Sequence, residues 1–223
     1  MKRGAEMKLT ILYDSEAEQE LMGGWGFSCL LELGDENILF DTGWDGRTLL
    51  YNMKKLDKNP DQVGRIVISH SHWDHMGSLP NLLRKGVEVY VPQSFSKHLK
   101  EEIASRSNLH EVNCAQRICE GVWTTGELGE RIKEQSLVVK TAKGLVVIIG
   151  CAHPGLGNIF SVASKFGKII GALGGMHGFD DYALLKNLTL ISPSHCTANK
   201  KKIAEFFPEA YVEGRVGLKI TLK

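Results

Sequence analysis

The chain has 223 residues, with 27 Lys and Arg against 26 Asp and Glu, for a formal net charge of +1. So small a charge gives no broad attraction to nucleic acid or to a membrane surface, and we expect neither partner. No apolar run reaches the roughly 18 residues of a membrane span, so we predict a cytoplasmic protein. No linker, repeat or composition break interrupts the chain, so we predict a single domain over residues 1–223.

Strands dominate the first half of the chain. Several runs are rich in Val, Ile and Leu without alternation, as expected of strands that are covered on both faces. The pattern predicts strands at 8–13, 27–33, 37–40, 65–69 and 87–91, and helices at 46–56 and 94–105, the second with Ser94 as its N-cap.

In the second half, strands alternate with helices. The pattern predicts strands at 136–141, 145–150, 168–173, 188–191 and 217–222, and helices at 156–166 and 199–206. Antiparallel strands followed by alternating strands and helices indicate an α/β protein, with sheet in the middle and helices outside.

The most informative stretch is residues 70–75, which contain three histidines and an aspartate directly after an apolar strand. Alternate residues of an extended chain point the same way, so His70 and His72 can bind one cation together. Asp74 and His75 follow where the chain bends, and can face a second cation. The alternative is a group of surface histidines around a helix-capping aspartate. So dense a cluster at a strand end favours a metal site instead.

Three further histidines each follow a predicted strand. His153 lies in Gly-Cys-Ala-His-Pro-Gly, His177 in Gly-Gly-Met-His-Gly and His195 in Ser-Pro-Ser-His-Cys-Thr. This repeated order places three imidazoles at one rim of a sheet, although each alone is compatible with a core or turn histidine. We interpret the neighbouring Cys151 and Cys196 as small buried residues beside a site.

The motif His-x-His-x-Asp-His, with single histidines later in the chain, resembles the metallo-β-lactamase superfamily. The resemblance implies a four-layer αβ/βα sandwich of two mixed sheets flanked by helices (α/β, or α+β by some schemes), with a dinuclear metal site. Zinc is the expected metal, with Mn, Fe and Mg as alternatives, and one or two ions bound. The implied ligands are His70, His72 and His153 for the first ion, and Asp74, His75 and His195 for the second.

Asp41, in Asp-Thr-Gly, matches an aspartate that in this superfamily orients a ligand or the metal-bound water. Without the resemblance, Asp41 could equally end a buried strand and cap the next turn. One position departs from the family. The superfamily commonly has a metal-bridging aspartate where this chain has Gly-Gly-Met-His177, and the nearest carboxylates are Asp180 and Asp181. Either His177 replaces that aspartate as a ligand or substrate contact, or the second ion is held weakly.

The segments around the three later histidines resemble one branch more closely. This branch contains the dihydropterin–ribofuranosylaminobenzene phosphate synthases and many metal-dependent hydrolases. Trp25 stands where the branch often has histidine, and the chain is short between residues 126 and 137, where others carry an insertion. Both departures count against transferring the exact synthase reaction.

We predict an enzyme that uses metal-activated water to hydrolyse an ester or phosphoester of a small-molecule substrate. Asp74 is expected to orient the water or accept its proton, and His177 is a candidate general acid, as is His195. The alternative is a metal-dependent transferase like those synthases; a non-catalytic metal-binding protein ranks lower. Three tryptophans beside the motifs either wall a cleft for a flat substrate or, as we prefer, pack in the core or its rim: Trp25, Trp44 and Trp73. The sequence leaves the substrate and the oligomeric state open.

Overall fold

The computed structural model describes residues 7–34 and 36–222. The strands in this part of the chain are β1 Met7–Tyr13, β2 Ser28–Leu33, β3 Glu36–Phe40, β4 Arg65–Val67, β5 Glu88–Pro92, β6 Asn108–Val112, β7 Gln116–Cys119, β8 Val122–Thr124, β9 Leu137–Lys140, β10 Leu145–Ile149, β11 Ile169–Gly175, β12 Leu190–Ser194 and β13 Lys219–Leu222. The α-helices are α1 Gly46–Lys55, α2 Trp73–Met76, α3 Lys97–Arg106, α4 Leu156–Ala163 and α5 Lys200–Phe206. Short 3-10 helices lie at Pro60–Gln62, Leu79–Asn81, Ser164–Phe166 and Tyr182–Leu185.

The chain divides into two compact units. Of the described residues, the first comprises 7–34, 36–91, 95–111 and 215–222; the second comprises Pro92–Ser94 and Val112–Gly214. A single domain over residues 1–223 stays a prediction. Among the described residues, no helix is both long enough and apolar enough to cross a membrane.

The first unit is built on a seven-stranded sheet of order β13-β1-β2-β3-β4-β5-β6. β1, β2 and β3 run antiparallel, whereas β3, β4 and β5 are parallel. α1 contributes Leu49 and Met53 to an apolar cluster that contains Leu39 and Ile66, all fully buried. The carboxyl ends of β3 and β4 therefore meet at one edge of the sheet, where the residues after both strands come together.

The second unit is built on a six-stranded sheet of order β12-β11-β10-β9-β8-β7. β10, β11 and β12 are parallel and the remaining pairs are antiparallel. α4 packs Leu156 and Ile159 into an apolar cluster with Val147 and Ile149 of β10. Because the three parallel strands end at the same edge, the residues that follow them share that edge. These are the segments that carry His153, His177 and His195.

The predicted fold class is confirmed: both sheets are mixed and flanked by helices. Two details differ from the prediction. The cap of α3 is Ser96, whose hydroxyl accepts the Leu99 N–H at 3.3 Å, so Ser94 as the N-cap was wrong. The strands β6, β7 and β8 were not predicted, because they are short and mix polar with apolar residues, without a clear period of two.

Candidate metal centre

In the first unit the four predicted ligands of the histidine motif converge. The chain leaves β4, bends at Ser71, is extended at His72 and then enters α2. The ring of His70 lies 4.6 Å from that of His72 and 4.2 Å from that of His75, measured between centroids. Asp74 places Oδ2 3.8 Å from Nε2 of His75, and its side chain is 15% exposed. These distances are short enough for a shared cation site, while the ligand roles stay a prediction.

The fully buried Asp41 organises these histidines from the end of β3. Its carboxylate accepts the Ser69 N–H at 2.6 Å and the Ser69 hydroxyl at 2.7 Å, and its Oδ2 lies 2.7 Å from Nδ1 of His75. An ionised carboxylate only accepts, so Nδ1 of His75 carries the proton and Nε2 keeps its lone pair. Asp41 thus fixes the ring form of His75, while its role beside a metal ion stays a prediction.

Ser69 fixes the position of a ring proton of His70 in the same way. The hydroxyl of Ser69 lies 2.9 Å from Nδ1 of His70. Since its single proton goes to Asp41, the hydroxyl accepts here, and Nδ1 of His70 must be the donor. With this proton on Nδ1, the neutral ring of His70 carries a lone pair on Nε2, the form that binds cations. Sequence reasoning missed Ser69, because a serine between a strand and a histidine motif carries no signal of its own.

In the second unit the structure brings His153 and His177 into direct contact. Nδ1 of His153 lies 3.1 Å from Nε2 of His177, with ring centroids 4.4 Å apart. His177 and His195 have positive φ values of 43° and 47°, and Ala152, beside His153, has 59°. Positive φ is uncommon outside glycine and concentrates at functional sites. These three turns therefore hold their side chains in specific, strained directions.

Cys151 and Cys196 are also part of this group. Their Sγ atoms lie 3.3 Å apart. Within the second unit, Cys151 belongs to two sets of possible ligand atoms within 4.8 Å of one another, one with His153 and His177 and one with His195 and Cys196. Interpreting them only as small buried residues was therefore incomplete. The available signal was their place in the sequence, each within two residues of a candidate histidine.

Glu134 holds the loop that carries His153. It is 1% exposed, and its carboxylate accepts the backbone N–H groups of Cys151, Ala152 and His153 at 2.9, 3.0 and 2.9 Å. Hydrogen bonds to an ionised acceptor are roughly twice as strong as neutral ones, so this carboxylate fixes three consecutive residues. No pattern in the sequence connects Glu134 with a loop that follows 17 to 19 residues later.

The loops after β11 and β12 are joined to each other. The Thr197 hydroxyl accepts the Met176 N–H at 2.9 Å and donates to the Ser194 carbonyl at 2.8 Å. The Ala198 N–H donates to the His177 carbonyl at 2.8 Å. His177 and His195 are therefore placed by one hydrogen-bonded assembly rather than by two independent turns.

The sequence and the fold are both similar to those of known proteins. Residues 24–112 match the family model of the metallo-beta-lactamase superfamily. The solved structure of Tm1679, a metal-dependent hydrolase of the beta-lactamase superfamily, is 25% identical with a TM-score of 0.78, over 96% of this chain and 98% of that one. The chain is therefore similar to the metallo-β-lactamase superfamily in sequence over residues 24–112, and in fold over nearly its whole length. Its two helix-flanked mixed sheets match the sandwich of that superfamily, as predicted.

Two archaeal relatives come from Methanocaldococcus jannaschii. One is a 7,8-dihydropterin-6-methyl-4-(beta-D-ribofuranosyl)-aminobenzene-5'-phosphate synthase, 26% identical over 84% of this chain and 85% of that protein. The other is an uncharacterized protein, 26% identical over 94% of this chain and 98% of that protein. Both alignments run over 252 residues, more than the 223 of this chain, so each relative has segments that this chain lacks.

The donors in each unit fit a divalent transition metal. The first unit offers imidazole nitrogen and one carboxylate, and the second offers imidazole nitrogen and thiol sulfur. These are the ligand types of zinc, whereas magnesium and calcium prefer oxygen. The donors therefore suit a metal ion of this class, and zinc as its identity stays a prediction.

Proposed function

We propose that the protein is a metal-dependent hydrolase that acts on an ester or phosphoester of a small molecule. The observation that carries this proposal is the network from Asp41 through Ser69, which places a ring proton of both His70 and His75 on Nδ1. Histidines that bind a metal through Nε2 commonly donate Nδ1–H to a carboxylate or another acceptor in this way. The family resemblance supplies the full ligand assignment: His70, His72 and His153 for one ion, and Asp74, His75 and His195 for the other.

When bound, a divalent ion supplies Lewis-acid polarisation of the substrate oxygen and lowers the pKa of water towards about 7. The chain's own groups complete the chemistry. Asp74, whose side chain is 15% exposed and lies 3.8 Å from Nε2 of His75, is our candidate to orient a water or take its proton. His177, in contact with His153, is our candidate to donate a proton to the leaving group.

The first unit also suggests the shape of the substrate. Trp25, Trp44 and Trp73 are 60%, 56% and 64% exposed, so of the two positions that we preferred from the sequence, the core and its rim, the core is wrong. Trp73 directly precedes Asp74, and Trp44 lies close to the backbone of that motif, since a Cβ on Gly77 would meet the carbonyl oxygens of both tryptophans. Large aromatic surfaces beside a reactive motif favour a substrate with a flat, aromatic part.

The test is hydrolysis of a panel of chromogenic esters, phosphodiesters and thioesters by the purified chain. We expect turnover that a chelator abolishes and that Zn²⁺ or Mn²⁺ restores. His72→Ala should abolish it as well, whereas His98→Ala, on the exposed side of α3, serves as the matched control and should keep full activity. Turnover that is indifferent to chelation contradicts the proposal.

A second candidate function is supported by the archaeal relative described as a synthase, which aligns with most of this chain. In this case the protein is a transferase that joins a dihydropterin diphosphate to an aryl ribotide, and the exposed tryptophans suit such flat rings. Incubation with both substrates decides between the two functions, because only a synthase forms the coupled product. The synthase function is less well supported because this chain lacks segments that the archaeal synthase has.

A further inference from the structure

The second unit places two thiols where its histidines converge. Sγ of Cys151 and Sγ of Cys196 are 3.3 Å apart, and both lie within 4.8 Å of a ring nitrogen of His195. With bonds of about 2.3 Å to sulfur, two sulfur ligands of one tetrahedral zinc ion are roughly 3.8 Å apart. The thiol pair therefore needs to open by only about 0.5 Å to bind a common ion.

The surrounding backbone is arranged to keep this spacing. Glu134 accepts the N–H of Cys151 at 2.9 Å, which fixes one thiol from a buried position. The other thiol, that of Cys196, packs closely against Gly175. A Cβ at position 175 would lie 2.7 Å from Sγ of Cys196, so no larger residue fits there. Hydrogen bonds and close packing of this kind are what hold a set of ligands in place before the ion arrives.

We propose that Cys151 and Cys196, as thiolates, bind a divalent ion of the zinc class together with His195. This inference rests on the metal centre proposed above and extends its ligand set to sulfur. Each thiol releases its proton to solvent as it binds the ion. The two thiolates bring the negative charge that a bridging carboxylate near His177 would otherwise supply. Soft sulfur favours zinc or cobalt over magnesium or manganese.

Spectroscopy of the whole chain tests the proposal without relying on turnover. The protein is stripped of metal under reducing conditions and titrated with Co²⁺ alone. We expect thiolate-to-cobalt charge-transfer absorption in the near ultraviolet, and in the zinc-loaded protein a shell of sulfur at about 2.3 Å by X-ray absorption. Cys151→Ser and Cys196→Ser each weaken the cobalt band and the double variant loses it. Each lowers the metal affinity at least about tenfold, the smallest cost usual for losing even an outer-shell partner.

The exposed Cys114 provides the matched control, and Cys114→Ser should leave both signals unchanged. A zinc shell of nitrogen and oxygen alone in the unmodified protein overturns the inference, and so does a Cys151–Cys196 disulfide that persists in the metal-loaded form. Sulfur ligation without hydrolysis of the substrate panel keeps this inference and refutes the hydrolase. Failure to bind any ion overturns both.

Discussion

The two units hold their histidines in different ways. In the first unit the candidate ligands are nearly consecutive, and one buried carboxylate, Asp41, acts on their side chains through Ser69 and His75. In the second unit the histidines come from three separate turns, and the buried carboxylate, Glu134, acts on the backbone of one of those turns. A contiguous motif needs its rings oriented, whereas a dispersed set first needs its loops positioned. The same residue type thus does two different tasks.

Asp41→Asn should have the largest effect on metal binding. The amide keeps one oxygen for Ser69, and its NH₂ group then faces Nδ1 of His75. His75 must accept there and carry its proton on Nε2, which blocks that nitrogen as a ligand. We expect the metal affinity to fall about 10- to 100-fold, measured by competition with a chromogenic chelator. Asp45→Asn, four residues later and outside the network, should bind like the unmodified protein; equal affinities in both variants would refute the role of Asp41.

Glu134→Gln should mainly cost stability. Glutamine has one side-chain oxygen where the carboxylate has two, so at least one of the buried N–H groups of Cys151, Ala152 and His153 loses its acceptor. A buried donor without a partner costs about 1–3 kcal/mol, and about 2 kcal/mol lowers the melting temperature of a chain this long by roughly 4–8 °C. Thermal unfolding followed by circular dichroism measures this effect. Glu130→Gln, on the exposed part of the same loop, is the control, and a melting temperature equal to that of Glu130→Gln contradicts the assignment.

A third carboxylate, Asp45, can be compared with Asp41 and Glu134. It caps α1 on the surface and touches no candidate ligand. It accepts the Thr48 N–H at 2.9 Å, and this bond holds the pKa of Asp45 below its usual range. Asp45→Ala should lower the free energy of unfolding by about 1 kcal/mol at neutral pH, while Asp45→Asn, which still caps, should not. Denaturant titration measures the difference, and metal affinity should not change in either variant.

The pH dependence of that cap has a definite sign. A carboxyl whose pKa is lower in the folded state stabilises above its unfolded pKa of about 3.9, and this contribution is lost as pH falls through the folded value. The difference in stability between the unmodified protein and Asp45→Ala should therefore shrink in acid. A difference that grows below pH 4 contradicts the cap as the cause.

The sequence could predict most of the strands and the motif of the first unit, because both are local patterns. An apolar run marks β4, and four candidate ligand residues within six positions mark the site that follows it. Asp41 was found through the resemblance, but its hydrogen bonds to Ser69 and His75 depend on the parallel pairing of β3 with β4. What could not be predicted is contact between residues far apart in the chain without periodicity.

Glu134 and the pair of cysteines are the clearest examples. Glu134 lies in a polar loop before β9, and its partners follow β10. Cys151 and Cys196 are 45 residues apart, and their sulfur atoms meet only because β10, β11 and β12 lie side by side in parallel. The Ser96 cap was missed for a simpler reason: two serines stand within three residues, and propensity alone does not choose between them.

The pairing of β13 with β1 has a consequence for how the protein is made. Leu9 faces Ile220 across this ladder, so the first sheet takes one of its strands from a segment that the ribosome synthesises after the whole second unit. Until then the β1 edge offers unpaired backbone groups to any other strand. Aggregation should therefore threaten the nascent chain most during translation of residues 112–214, and chaperones that shield strand edges should raise the yield of folded protein.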